Sequence, residues 1–419
     1  MVIILSSAAF ADPILGVNPA IPANMQITTF ASGLNFPYGL YQLPDGSILA
    51  ATSSGGLYGM PSVQIARITQ TGGIANPPAV VYNGGTGPAT GLTGVGNIVA
   101  LAYGTNTGSQ IQILQAGAGG TLTQIGQMTF NYPGGLWLHD SHAIAMRATG
   151  PNAYQLVFSV GSQYNDKTST DPVGVTGLAA TNLTGDSVYS LPFTVNSSTV
   201  TPGAPTQLAT GLRNAFALGF DANGDIYVGE NGQDLNKSAD EFDIIPAGSG
   251  LLNFGYPNTY YDLNGNLIGP TNGVTLPFMS ILPIGGVSTQ GVGGLALSPS
   301  GFPAGLNNGV FFGFFGMHSA GTANTLNGVI YVDATTGQYF DFIPGSQNGL
   351  GHPVSFLSTT NALYIADLST IGNDTQNGAG TIYKVSLSSV PEPSTLLLIS
   401  SGALLAAAWQ RRRIGVTHP

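Results

Sequence analysis

The sequence predicts an all-β fold: a six-bladed β-propeller of four-stranded antiparallel blades, followed by a C-terminal sorting or transmembrane helix. Three observations predict it. The composition suits short strands and many turns, with 61 Gly and 27 Pro in 419 residues. One hairpin motif recurs along the whole chain. The end of the chain is an apolar stretch between a Pro-Glu-Pro and an Arg triplet.

At 43% hydrophobic residues, with 19 Phe and 17 Tyr, the chain can bury a sizeable core. Only 7% of residues are charged and the formal net charge is -10, which argues against a nucleic-acid partner. There is no Cys, as suits a chain that crosses into an oxidising compartment.

In chain order, the first element is "MVIILSSAAFADP". It is an apolar run closed by Ala9-Phe10-Ala11, a small-x-small cleavage signal, and residues 1–11 read as part of a secretory signal peptide. The propeller is expected over residues 25–388. Its hairpins start at Phe36 ("FPYGLYQLPDGSILAATSS"), Val95 ("VGNIVALAYG") and His142 ("HAIAMRATGPNAYQLVFSVGS"). They continue at Arg213 ("RNAFALGFDANGDIYVGENG"), Gly293 ("GGLALSPSGFPAGLNNGVFFGFFG") and His352 ("HPVSFLSTTNALYIADLS"). Each reads as an inner strand, a Gly- or Asn-containing turn and a second strand. Their spacing, roughly 40 to 80 residues, suits blades of four strands, and six copies give six blades.

The tail "VPEPSTLLLISSGALLAAAWQRRR" combines Pro391-Glu392-Pro393, an apolar run to Trp409, and Arg411 to Arg413. The run is just long enough to cross a membrane, with the Arg triplet on the cytoplasmic side. Residues 390–413 resemble the PEP-CTERM sorting signal of Gram-negative bacteria. That resemblance implies export, transient membrane anchoring and removal of the tail by an exosortase, often in organisms that make extracellular polysaccharide. Without the Arg triplet the basic residues are Arg67, Arg147, Lys167, Arg213, Lys237 and Lys384.

The stretch from Gly211 to Ile245 gathers an unusual share of the charge. Arg213-Asn214, Asp221, Gly224, Asp240-Glu241 and Asn253-Phe254-Gly255-Tyr256-Pro257 stand there in order. This pattern resembles the soluble quinoprotein glucose and sorbosone dehydrogenase family. The opening blade from Phe30 and the closing segments "GHPVSFLSTTNALYIADLS" and "GTIYKV" extend the resemblance over roughly residues 25 to 388. It implies a sugar dehydrogenase that uses pyrroloquinoline quinone (PQQ) held by Ca2+ at one mouth of the propeller.

By position, the resemblance places Arg213 and Asn214 beside the quinone. It gives the Ca2+ ligands as backbone oxygens at Gly232 and Gln233. Asp240 and Glu241 have two readings, hard oxygen ligands for Ca2+ or a structural turn network. Oxidation of a sugar hydroxyl needs a base, and histidine suits that role. His139 and His142 are both candidates, and spacing to Gly161 favours His142. His318 and His352 fall where the family has cofactor contacts.

The sequence also departs from the family. Gly351-His352-Pro353 stands where Gly-Arg-Pro is expected, and the loop holding His318 lacks the accompanying Arg. The quinone carries three carboxylates and calls for cations around it. Two functions follow: a PQQ-dependent sugar dehydrogenase, or a catalytically inactive surface or matrix propeller that binds glycans or proteins.

Overall fold

The structure, a computed structural model, describes residues 12–13, 21–54, 62–234, 238–282, 291–316, 328–345, 350–368 and 378–388. His318, Lys237, the leader 1–11 and the tail 390–413 lie outside them. Six antiparallel sheets are arranged as the blades of a ring. Blade 1 holds Leu40–Gln42, Ile48–Ser54, Ser62–Ile68 and Ala79–Thr86. Blade 2 runs from Ala89–Val95 through Ile98–Gly104 and Gly108–Ala116 to Leu122–Asn131, and two further short strands widen it. Blade 3 is Ile144–Gly150, Ala153–Val160, Ser187–Asn196 and Thr206–Thr210. Blade 4 is Ala215–Phe220, Ile226–Glu230, Asp240–Ile245 and Met279–Ile281. Blade 5 is Val292–Leu297, Gly309–Phe314, Val329–Asp333 and Tyr339–Ile343.

Blade 6 joins the two ends of the domain. Its inner three strands, Pro353–Ser358, Leu363–Asp367 and Gly380–Leu387, come late in the chain. Its outer strand, Met25–Leu34, comes first, and it pairs in register from Met25 opposite Leu387 to Leu34 opposite Gly380. Five of the six hairpins read from the sequence are inner pairs of these blades; the stretch from Val95 takes in only the second strand of its pair, Ile98–Gly104, since the inner strand is Ala89–Val95. The innermost strands touch one another in a closed circle, the first against both the second and the sixth.

Close approach at the centre explains the glycines there. A Cβ on Gly294 would sit 2.3 Å from the carbonyl oxygen of Val354 in the next blade. The core lies between blade faces. Phe130, Phe158, Leu156 and Tyr189 fill the space between blades 2 and 3, and Phe311, Tyr331 and Phe342 that between blades 5 and 6.

Every inner strand starts at the same end of the ring, so His142, Arg213 and His352 stand together at that end. One device recurs there. A polar side chain at the end of a second strand ties down the backbone that enters an inner strand. Ser53 Oγ accepts from the Ala89 amide at 2.8 Å, and Ser159 Oγ from Ala143 at 2.9 Å. Glu230 accepts from Arg213 N–H, and Asp367 from Gly351 and His352 at 2.7 and 2.8 Å. Buried amides need such partners, which is one reason carboxylates appear in so uncharged a chain.

Candidate functional site

The hairpin of blade 4 builds the site. Its register sets Glu230 opposite Glu241 and Val228 opposite Asp243. Side chains alternate across a strand, so Glu230, Glu241 and Asp243 fall on one face while Asp240 falls on the other. The first three form a buried carboxylate cluster whose oxygens lie within 4.8 Å of one another. Both Asp243 oxygens are buried without a hydrogen-bond partner. Burial pushes the Glu241 carboxyl up to about 8, and it holds Glu230 and Asp243 well above the usual carboxylate range. The neighbouring carboxylates push in the same direction. Beside Glu230 and Glu241, and not reaching Asp243, is a cavity of about 10 Å³, the scale of one water or ion, lined also by Arg213, Asn231, Gly232 and Gln233.

Asp240 has a different task. Its two oxygens accept from Gly232 N–H at 2.9 Å and Gly291 N–H at 2.8 Å, which clips blade 4 to the start of blade 5. Of the two sequence readings, the geometry gives Asp240 the structural one and sets Glu241 among groups suited to a cation.

Arg213 is 3% exposed, and every nitrogen of its guanidinium is engaged. Nε donates to the Asn165 carbonyl and side chain, and Nη1 to the carbonyls of Asn231 and Gly232 at 3.3 and 2.7 Å. Nη2 donates to Asn165 Oδ1 at 2.7 Å and meets Asp234 at 2.9 Å. The Gly232 carbonyl, expected to face Ca2+, therefore faces Arg213. Gln233 donates from its amide to Ser238 Oγ at 2.5 Å and from Nε2 to the Pro257 carbonyl at 2.9 Å. The Asn214 carbonyl accepts from Asn231 N–H.

The histidines separate. His142 is fully buried between blades 2 and 3, packed on Phe130 with ring centroids 4.0 Å apart. Its Nε2 meets Ser109 Oγ at 2.6 Å and its Nδ1 meets the Ser159 carbonyl at 2.5 Å. Burial pushes it down to about 4. Both nitrogens are spent within the core. His139 is partly exposed, with Nδ1 at 2.7 Å from Ser162 Oγ, and the Ser162 amide donates to the Arg213 carbonyl. Burial, then the Arg213 charge, push His139 down to about 3. The structure thus brings His139 to Arg213 and turns the His142 ring away. His352 is also buried, stacked on Phe315 at 4.9 Å with its Nδ1 against the Phe315 carbonyl.

The donor set suits a hard cation: three clustered carboxylates, two of them on a cavity of ionic size. Among the described residues it does not offer the free cations that a tricarboxylate quinone calls for. The cations at this end among the described residues are Arg213, saturated by protein, and Lys167, whose Nζ lies 3.8 Å over the Tyr164 ring.

Sequence reasoning missed Glu230 and Asp243. The available signal was "DEFD" in an otherwise apolar strand, which by alternation puts Glu241 and Asp243 on one face.

The family model for the PEP-CTERM protein-sorting motif matches residues 389–413. No curated protein matches the sequence. Solved structures do match. The PQQ-bound aldose sugar dehydrogenase of Streptomyces coelicolor has a TM-score of 0.56 at 17% identity, over 87% of this chain and 99% of that one. The holo PQQ domain of Coprinopsis cinerea pyranose dehydrogenase gives 0.56 at 13%, over 87% and 96%. The apo soluble aldose sugar dehydrogenase of Escherichia coli gives 0.56 at 14%, over 87% and 100%. No helix among the described residues is long and apolar enough to cross a membrane. At such identities the likeness is one of fold: this chain has the six-bladed propeller of the sugar dehydrogenases, and it ends on a PEP-CTERM sorting motif.

Proposed function

We propose that this protein is an exported cell-surface or matrix propeller that binds a divalent cation, Ca2+ by its oxygen-only donor set, and a saccharide at the mouth above it. The observation that carries the reading is the buried trio of Glu230, Glu241 and Asp243, with Asp243 lacking any partner. Like charges at this spacing in a dry site are costly unless protonated or bridged, and a divalent ion bridges them. The saccharide is supported by the sugar substrates that the fold neighbours are named for. The sorting motif supports export and exosortase processing.

Sugar oxidation with PQQ is the second reading, favoured by the same neighbours and by an imidazole beside Arg213. It requires Arg213 to leave Asn165 and Asp234 for a cofactor carboxylate, and a base that substrate reaches. His139 meets the second demand better than His142.

Thermal melts of the purified propeller test both readings. Ca2+ raises the melting temperature, and a cognate saccharide raises it further by mass action. If PQQ with Ca2+ also stabilises the protein and supports dye reduction with aldoses, the dehydrogenase reading replaces the binding one. In that case His139→Ala lowers the rate by about 100-fold or more, the scale of a positioned base, and His142→Ala acts through stability instead.

A further inference from the structure

Both ends of the propeller leave from the face opposite the site. The strand Gly380–Leu387 starts at the mouth end, where Gly380 pairs with Leu34 and the Gly378 amide donates to Asn35. It finishes at the far end, where Leu387 pairs with Met25 and the Ser388 amide donates to the Asn24 carbonyl at 2.8 Å. There Leu387 lines a cleft with Ser298, Ser300, Thr359, Thr360 and Lys384. The sorting motif begins at the next residue, 389.

From Ser388 to Thr395, where the apolar run begins, is seven residues. Fully extended, such a stretch reaches about 25 Å, and any bend at Pro391 or Pro393 shortens it. The eight-residue strand itself separates the two faces by about 26 Å. We infer that, while the tail lies in the membrane, the propeller is held with its Ser/Thr-rich cleft toward the lipid headgroups and the Arg213 mouth pointing away. The site then meets soluble or matrix saccharides and not lipid-linked ones. This rests on the saccharide reading above and on the membrane-spanning reading of the tail.

The chain has no Cys, so single labels report its orientation cleanly. Thr360→Cys marks the rim of the cleft and Thr168→Cys the mouth loop, both at exposed positions. The full-length protein is reconstituted into phosphatidylcholine vesicles that carry an acceptor-labelled lipid, and energy transfer is read from each site. Transfer at least about twofold stronger from position 360 is expected, given the depth of the strand. Equal or reversed transfer in vesicle-bound protein overturns the orientation alone. Protein that does not float with the vesicles overturns the membrane reading of the tail, and the orientation with it. Calcium and saccharide melts on the same protein report independently on the saccharide reading.

Discussion

Asp243 concentrates the chemistry at the scale of single residues. Its carboxylate is buried without a partner next to two others, so each negative charge in the cluster raises the cost of the next. A carboxyl whose value is raised on folding stabilises the fold fully below its unfolded value and loses that contribution as pH rises through the folded one. For Glu241 the window runs from its ordinary 4.5 up to about 8. Without metal, stability is therefore expected to fall between those values. Added Ca2+, which binds the deprotonated cluster, should restore it, so the calcium-induced rise in melting temperature grows from pH 5 to pH 8. Calorimetric melts at the two values, with and without Ca2+, check this. Asp243→Asn should stabilise the calcium-free protein at pH 8 by roughly 1–3 kcal/mol, because folding then no longer has to protonate or desolvate a carboxylate that is ionised in the unfolded chain, and should abolish most of the calcium response. Denaturant melts of the variant measure both effects. The acidic pair Asp240-Glu241 was legible in the sequence. Its division into a backbone clip and a cation-facing group was not, because that depends on which face of the strand each residue occupies. The histidine choice failed to resolve for a similar reason: spacing favours His142, yet the core between Phe130 and Phe158 absorbs that ring.

At the scale of strands, the clips that tie second strands to inner strands hold the mouth in shape. Asp367 accepts two buried amides, those of Gly351 and His352. Asp367→Ala leaves both without that acceptor and is expected to cost roughly 2–6 kcal/mol, since each buried group that loses its partner costs about 1–3. Urea denaturation measures it, with an unchanged m-value as the sign that the fold is retained. The inner strands are fixed by close packing. Gly294→Ala drives a Cβ into the Val354 backbone at 2.3 Å, and overpacking of this kind costs typically ~1–3 kcal/mol. These hairpins were readable from the sequence because the same inner-strand, turn and second-strand order repeats. The outer strands were not, since their pairing carries little periodic signal beyond local alternation.

The whole molecule is a ring closed by a strand from the other end of the domain. Met25–Leu34 supplies the outer edge of blade 6, so deleting it exposes the edge of Gly380–Leu387 and removes Met25 and Ile27 from the core shared with blade 5. A propeller starting at Asn35 is expected to aggregate or lose cooperative unfolding, which size-exclusion chromatography and calorimetry of the shortened chain will show. That closure was not legible: by sequence the segment from Phe30 falls in the opening blade, whereas Met25–Leu34 pairs with the last strand of blade 6. The departure from the family pattern at His352, where Arg is expected, was legible. The saturation of Arg213 by Asn165 and Asp234 was not, because Asn165 is 48 residues away in sequence. Function in this reading turns on the blade 4 cluster as a cation site. Diffraction from crystals grown at pH 8 with millimolar calcium tests it most directly. An anomalous peak about 2.3–2.6 Å from oxygens of Glu230, Glu241 and Asp243 is expected; a cluster that stays empty, or one bridged only by protons, would contradict the cation reading.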